Sequence, residues 1–238
     1  IIGFFAKKIC VSWEKTMEIR SGKFVLTGNP IRKEILKIET RNLGRLIPGF
    51  NDNMPLIYIT GGSLGSHAIN EAVLEILPKL LEKYQIIHQC GDAQAYHDYE
   101  KLRTKNQGLR TELQKRYFLT KYINSENIGW VLNKADLVIS RSGANTVCEL
   151  AVLAKPAILI PLPWAGQNEQ LENAKLLENI GIAVILEQKN LTGKSLFQCI
   201  KSLIQNLEEY KKKARKAKEL VNLQAGENLV KVINDIRT

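Results

Sequence analysis

The sequence predicts an α/β protein built on a doubly wound, Rossmann-like parallel sheet. Short apolar runs alternate with amphipathic helical stretches about six times, and several apolar runs end in glycine-rich or polar turns. The runs are continuously apolar instead of alternating, which is typical of parallel strands covered by helices on both faces. Such sheets bind ligands beyond the carboxyl ends of their strands, so we expect function at the strand-to-helix turns.

The elements follow in order from this pattern. A strand at 23–27 ends at the turn 28–30, and the charged, Gly- and Pro-containing stretch 37–54 is predicted to be a connector. Later strands are apolar runs that stop at glycine or polar residues: 56–60, 85–90, 117–123, 136–140, 157–160 and 183–186. Helices with apolar residues at helical spacing are predicted at 69–81, 128–132, 147–153, 170–180, 196–207, 210–221 and 228–236.

Composition excludes several classes of protein. Of the 238 residues, 45% are hydrophobic and 24% are charged, which is typical of a globular protein and not of a disordered one. The longest apolar run, 157–162, has the length of a strand and is too short to cross a bilayer. Because the chain does not begin with Met, we expect it to start inside a longer protein.

The net charge and the cysteine and histidine content limit which partners, disulfides and metal sites we expect. A net charge of +10 suits an anionic ligand or surface, but no helix-turn-helix, RNA-binding aromatic strand or zinc finger is visible, so we expect no nucleic-acid partner. The four cysteines form no Cys-x-x-Cys pair, and we expect free, buried thiols. The three histidines form no His-x-x-x-His pattern, so we predict no metal site.

Three strand-to-helix turns carry residues suited to a ligand. The turn 60–66 is glycine-rich, so its amides can approach an anion closely; a tight turn without a ligand is the alternative. The turn 140–149 places Glu149 where a carboxylate can accept two hydrogen bonds from a ribose, or merely complement the helix dipole. The turn 161–174 offers amide side chains to a hydroxyl-rich ligand, with N-capping by Gln167 or Asn168 as the alternative.

A fourth stretch, Thr-Gly-Lys-Ser at 192–195, contains part of a P-loop pattern. Gln188 stands where the first glycine of that loop is required, so we expect no phosphate cradle here. We predict instead that Thr192 caps the following helix.

Together and in this order, the turns resemble the donor half of the MurG-type UDP-N-acetylglucosamine–N-acetylmuramyl-(pentapeptide) pyrophosphoryl-undecaprenol N-acetylglucosamine transferases. The resemblance covers about 9–236 and rests on the stretches 28–32, 61–66, 122–123 and 135–144, and on Gln170 with Asn173 and Ala174. It implies one half of a GT-B glycosyltransferase. Residues 1–32 would then be the end of an N-terminal acceptor domain and its hinge. Residues 33–238 would be the donor domain, whose last helix crosses back to the N-terminal domain.

The resemblance also implies binding roles. Arg32 and Ser63, with Gly62 beside it, lie near the diphosphate of UDP-N-acetylglucosamine in that family. The residue matching Ile123 reads the uracil through its backbone, and Gln170 matches a glutamine that contacts the N-acetylglucosamine. Glu149 has the ribose-binding place, and the diphosphate and ribose are wrapped by the preceding residues Ser142, Gly143, Ala144, Asn145 and Thr146. No metal or other cofactor is implied.

The implied reaction is inverting transfer of N-acetylglucosamine to lipid I, which makes lipid II for peptidoglycan at the cytoplasmic face of the bacterial inner membrane. The basic charge of the chain suits that anionic surface. The family's acceptor site and catalytic base belong to the N-terminal domain, so we expect no catalytic residue in this chain. The alternative is a UDP-N-acetylglucosamine-binding subunit that acts with a separate acceptor-binding chain. The chain departs from the family at Cys148, where a small polar residue is common, and at 163–168, which lacks acidic or His residues.

Overall fold

A computed structural model describes residues 5–17, 22–36 and 50–237. Its strands are β1 Ile9–Val11, β2 Phe24–Leu26, β3 Leu56–Thr60, β4 Gln85–Gln89, β5 Tyr117–Thr120, β6 Leu137–Ser140, β7 Ala157–Leu159 and β8 Ala183–Ile185. Six of them form one parallel sheet in the order β5-β4-β3-β6-β7-β8, and β1 pairs with β2 in a separate parallel ribbon.

Helices connect these strands. They are α1 Glu14–Met17, α2 Lys33–Leu36, α3 His67–Leu81, α4 Asp98–Gln107, α5 Thr111–Gln114, α6 Ser125–Lys134, α7 Ala144–Val152, α8 Glu169–Ile180, α9 Gly193–Gln205, α10 Leu207–Ala214 and α11 Ala225–Arg237. Short 3-10 turns lie at Gln94–Tyr96, Gly166–Asn168, Gln188–Asn190 and Arg215–Leu220. No helix in the described ranges combines the length and the apolar character that a membrane crossing requires.

The sheet is covered on both faces. Leu56 and Tyr58 of β3 belong to one hydrophobic core, which α6, α7 and α8 complete. Ile57 and Ile59 belong to a second core on the other face, completed mainly by α3 and α9. Because neighbouring residues of a strand point to opposite faces, β3 contributes apolar side chains to both cores, and this confirms the predicted doubly wound sheet.

The predicted elements from residue 56 onward are confirmed with shifts of a few residues at their ends, and two differences have clear causes. The strand predicted at 117–123 ends at Thr120, because the chain then turns across the end of the sheet toward Asn124, which caps α6. Helices α4 and α5 were not predicted, since α4 is polar along most of its length and buries only Asp98 and Leu102. Residues 37–49 of the predicted connector lie outside the described residues.

The thiol prediction is partly wrong. All four cysteines are free, and Cys90 and Cys148 are buried, but Cys10 is exposed and Cys199 is half-buried. Cys10 is the middle residue of β1, and its side chain points outward while those of Ile9 and Val11 on either side are half-buried.

The first and last described segments meet at one end of the molecule. Asn228 of α11 donates a hydrogen bond to the carbonyl of Thr27 over 3.3 Å, and Lys7 reaches the carbonyl of Ile236 over 3.5 Å. Gly28 is in the left-handed region (φ 82°), and a Cβ there would press against Asn222. The domain boundary at residue 32 stays a prediction.

Candidate functional site

The glycine-rich turn after β3 is tightly constrained. The amide of Gly62 donates to Thr60 Oγ1 over 3.0 Å, and the amide of Gly65 donates to the carbonyl of Gly62 over 3.2 Å. Gly62 and Gly65 have φ values of 90° and 81°, which favour glycine. A Cβ on Gly65 would also overlap the carbonyl of Cys90, at the end of β4. The turn therefore packs its backbone against the neighbouring strand, while Gly62 stays open on its outer side.

The turn after β6 leads into α7. Ser142 is fully buried, and its hydroxyl donates to the carbonyl of Gln170 over 2.7 Å. Gly143 is the N-cap residue of α7, and Ala144 is the first residue of that helix. Asn173 donates back to the carbonyl of Ser142 over 3.3 Å, so these contacts tie α7 to α8.

A cavity of about 390 Å³ lies at the carboxyl ends of β3, β4 and β6. Of the eleven residues predicted for the site, seven line it: Arg32, Gly62, Ser63, Ile123, Asn145, Thr146 and Glu149. The other four, Ser142, Gly143, Ala144 and Gln170, are not among its lining residues. Ser142, Gly143 and Ala144 lie directly before Asn145 in the chain. The fold thus brings together residues from four separate stretches of sequence.

Glu149 is paired inside this cavity with Arg32. Both Nε and Nη2 of Arg32 contact Oε1 of Glu149, at 2.7 and 2.6 Å. The Glu149 side chain is 9% exposed and that of Arg32 is 44% exposed. Burial raises the pKa of Glu149, and the Arg32 charge works against that rise. Asn29 also donates to Asn145 Oδ1 over 2.7 Å, so the segment before α2 contacts α7 at two positions one turn apart.

Eight further residues line the cavity and were not predicted as site residues, although the first three of them lie in stretches that the sequence analysis singled out: Pro30, Thr60, Tyr122, Tyr58, Gln89, Ile128, Leu132 and Val138. Thr60 and Gln89 are the last residues of their strands, so a search of strand ends would have found them. Burial raises the pKa of Tyr58 well above its usual value, so its hydroxyl stays protonated. Tyr122 is 60% exposed at the rim.

Arg141, the residue after β6, forms hydrogen bonds to several neighbouring turns. Its Nη1 donates to the carbonyls of Ile160 and Pro161, and its Nη2 donates to Ser66 Oγ over 2.7 Å and to Gln188 Oε1 over 2.6 Å. These acceptors are neutral. Burial lowers the pKa of Arg141 to about 10, which leaves it charged at neutral pH. The guanidinium therefore joins the glycine-rich turn to the segment after β7.

The third predicted turn is held by a hydrogen bond between the backbone at its start and the side chain of Gln170. Gln170 Oε1 accepts a hydrogen bond from the amide of Leu162 over 3.0 Å. Gln167 and Asn168 have positive φ values, and the Asn168 side chain makes no capping bond to α8, so the N-capping alternative is wrong. Trp164 is 72% exposed on this turn.

The P-loop-like stretch behaves as predicted. Thr192 caps α9 by accepting from the amide of Ser195 over 3.1 Å, and the Ser195 hydroxyl accepts from the amide of Thr192 over 2.9 Å. This reciprocal pair is a capping box. The motif is thus a helix start and lies outside the cavity.

Among the described residues, one group has ligand atoms close enough to hold a metal ion: His67, Glu71 and Asp98, whose atoms lie within 4.8 Å of one another. His67 Nδ1 is 2.8 Å from Asp98 Oδ1, and Glu71 pairs with Lys101 at 3.2 Å. These three residues are paired within the chain and do not line the cavity.

The family model and the curated relatives agree on one family. A model of the glycosyltransferase family 28 C-terminal domain matches residues 56–231. The chain is 35% identical over 240 residues to the UDP-N-acetylglucosamine–N-acetylmuramyl-(pentapeptide) pyrophosphoryl-undecaprenol N-acetylglucosamine transferase of Desulforamulus reducens, covering 99% of this chain and 63% of that protein. It is 38% identical over 214 residues to transferase 2 of Bacillus cereus, covering 89% and 57%.

A solved structure agrees with these matches. The crystal structure of Acinetobacter baumannii MurG superposes with a TM-score of 0.70 at 28% identity, covering 98% of this chain and 62% of that one. The chain therefore spans between 57% and 63% of the length of these three relatives.

Proposed function

The chain belongs to the glycosyltransferase family 28 C-terminal domain family, and on this premise we propose that it is the donor-binding half of an inverting N-acetylglucosaminyltransferase. The Rossmann-like sheet is one half of a GT-B glycosyltransferase, as the sequence predicted. The proposed reaction moves N-acetylglucosamine from UDP-N-acetylglucosamine to lipid I during peptidoglycan synthesis. The observation that carries the proposal is the single cavity lined by residues of the predicted hinge, the glycine-rich turn, Ile123 and α7.

The shape of the cavity supports a division of roles. Gly62 and Ser63 lie on the glycine-rich turn, next to the N-terminal end of α3, where backbone amides and the helix dipole favour a diphosphate. Glu149 offers a mostly buried carboxylate to the ribose, whose two hydroxyls donate to it. Ile123 lines the same cavity together with the apolar residues Ile128 and Leu132, which suit the flat face of uracil.

Departure of UDP is the step in which this half would act. Negative charge grows on the diphosphate as the sugar leaves, and the Arg32 guanidinium and the amides of the glycine-rich turn stabilise it. Inverting transfer also requires a general base for the acceptor hydroxyl. Among the described residues that line the cavity, Glu149 is the one carboxylate. Because the proposal assigns it to the ribose, we expect the base to come from the acceptor half.

The cell location follows from the proposed substrates. Lipid I is held in the membrane, so the enzyme would work at the cytoplasmic face of the bacterial inner membrane. The segment 211–218 is strongly basic, although Lys211 and Lys213 already pair with Glu208 and Glu209. Each free, well-placed Lys or Arg would add about 1 kcal/mol of attraction to anionic lipid. Sedimentation of the chain with anionic vesicles, and not with neutral ones, tests this attraction.

Titration calorimetry tests donor binding. We expect the chain to bind UDP-N-acetylglucosamine, and UDP nearly as well, with or without magnesium. Glu149→Ala should weaken UDP binding by about 1–3 kcal/mol, the value of lost charge-assisted hydrogen bonds. Gln170→Ala should weaken binding of the sugar nucleotide and leave UDP almost unchanged. Glu112→Ala, an exposed carboxylate on α5, serves as the control. Folded protein that gives no heat with UDP would overturn the proposal.

A transfer assay tests the division of labour. We expect this chain alone to transfer no labelled N-acetylglucosamine to a lipid I analogue, because the base and the acceptor site are supplied elsewhere. Addition of an N-terminal acceptor half from a relative should restore transfer. Robust turnover by this chain alone would contradict the assignment.

A further inference from the structure

Gln89 connects two segments that line the cavity, the glycine-rich turn and the turn at Ile123. It is the last residue of β4, between β3 and β5 in the sheet, and it is 5% exposed. Its Nε2 donates to the carbonyl of Gly62 over 2.9 Å, and its Oε1 accepts from the amide of Ile123 over 3.0 Å. The Tyr58 hydroxyl lies 3.4 Å from the same oxygen. One side chain thus holds the backbone of both turns.

The chemistry of this bridge requires an amide. A carbonyl needs a donor and a backbone N–H needs an acceptor, so the orientation of the Gln89 side chain is set by its two partners. A carboxylate can accept from Ile123 but cannot donate to Gly62. An apolar side chain of the same size can do neither, and would leave both backbone groups without these bonds.

We propose that Gln89 is a positioning residue that sets the distance between the uracil side and the diphosphate side of the donor site. This inference rests on the proposed function, because it takes Ile123 and Gly62 to be on opposite ends of a bound UDP. Binding of both ends at once depends on the spacing of the two turns, and Gln89 bonds to each of them. Its own atoms act on the backbone of Ile123 and Gly62 and not on the reacting centre.

Gln85 provides a matched control on the same strand. It is fully buried at the amino end of β4, and its side chain bonds the backbone of Asn51 and Met54, at the opposite end of the strand from Gln89. Gln85→Met should therefore lower the melting temperature without changing donor affinity. Gln89→Met should weaken UDP-N-acetylglucosamine binding about tenfold, measured by calorimetry well below the melting temperature, which corresponds to about 1.4 kcal/mol.

Gln89→Glu separates positioning from general packing. A protonated carboxyl has one donor and one acceptor, as the amide does, whereas an ionised carboxyl only accepts. The affinity of Gln89→Glu relative to the native protein should therefore recover as the pH falls from about 8 to about 5.5, because burial holds the pKa of such a carboxyl above its usual value. Gln89→Met should show no such recovery.

The results separate the two proposals. Native protein that binds no UDP-N-acetylglucosamine refutes the proposed function and this inference with it. Native protein that binds, together with a Gln89→Met variant that binds equally well, refutes the positioning role and leaves the proposed function intact. Hydrogen exchange in the native protein adds a test that needs no variant to fold. The Ile123 amide should be protected before ligand is added, and rapid exchange there would also refute the role.

Discussion

Replacing Arg32 or Glu149 should have unequal effects on stability, because the two partners of their ion pair are unequally buried. The Glu149 side chain is 9% exposed, whereas that of Arg32 is 44% exposed. Arg32→Ala leaves a carboxylate without its cation in a place with little water. Glu149→Gln leaves a guanidinium that can still reach solvent. Removal of the cation should therefore be the more costly change.

The loss of stability expected for Arg32→Ala lies between two known limits. Removing one partner of a fully buried pair costs about 3–5 kcal/mol, and a surface pair contributes about 0–1 kcal/mol. With one partner buried and the other half-exposed, Arg32→Ala should cost about 1–3 kcal/mol. A protein of this size loses about 2–4 °C of melting temperature per kcal/mol, so we expect a decrease of about 2–12 °C. Glu149→Gln should stay within about 0.5 kcal/mol of the native protein.

The pH dependence of Arg32→Ala has a defined sign. Burial raises the pKa of Glu149 in the folded state, and loss of Arg32 removes the charge that opposes this rise. The folded variant then binds a proton more tightly than the unfolded chain does. The stability of Arg32→Ala relative to the native protein is therefore highest below the unfolded pKa of a glutamate, about 4.5. It decreases as the pH rises through the folded pKa of Glu149.

The assay is thermal unfolding of the native protein, the two single variants and the double variant at about pH 4.5 and about pH 7.5. At the higher pH, adding Glu149→Gln to Arg32→Ala should restore most of the lost stability, because it removes the unpaired charge. A double variant that is less stable than Arg32→Ala would refute the reasoning.

Three further predictions concern the scaffold, each followed by thermal or chemical unfolding. Gly65→Ala should destabilise the protein by about 2–4 kcal/mol, since its Cβ would overlap the carbonyl of Cys90. Gly62→Ala should cost about 1–2 kcal/mol, because that position has a positive φ but open space around it. Equal effects of the two substitutions would contradict the crowding argument. Thr192→Ala should cost about 1 kcal/mol by removing the α9 cap, and Thr192→Ser should cost less. Burial lowers the pKa of Lys155 to about 8, so its folded form releases a proton before the unfolded chain does. Stability relative to Lys155→Met should therefore rise by about 1–3 kcal/mol between about pH 8 and about pH 10.5, and parallel pH profiles would contradict this.

Local sequence signals predicted the central sheet well. Largely apolar runs mark β3, β6, β7 and β8, because strands covered on both faces bury the side chains of both. The glycine-rich turn after β3 was also predicted from local sequence. Positive φ values and close backbone contacts favour glycine, so the residue type at a single position is the signal. Helix α4 was not predicted, because it has almost no apolar face and so lacks apolar residues at helical spacing.

The candidate site was predicted in part. The resemblance placed Arg32, Ser63, Ile123 and Glu149 in one site, and the fold brings all four to one cavity. It did not indicate that Arg32 and Glu149 contact each other. Their ribose and diphosphate roles stay predictions. Gln89 was not predicted, because its place at the end of β4 is its one local signal and no neighbouring residue indicates that it bonds Gly62 and Ile123.

The sequence by itself determined the strands from β2 onward, which turns hold glycine and where α9 begins, because these features depend on residues within a few positions of each other. Only the tertiary structure decided the strand order β5-β4-β3-β6-β7-β8, and with it the contacts across strand ends. Arg32 meets Glu149 from 117 residues away, and Gln89 meets Ile123 from 34 residues away. Such contacts depend on how several elements pack at once, and the free energy of that packing is not contained in any one segment of the chain.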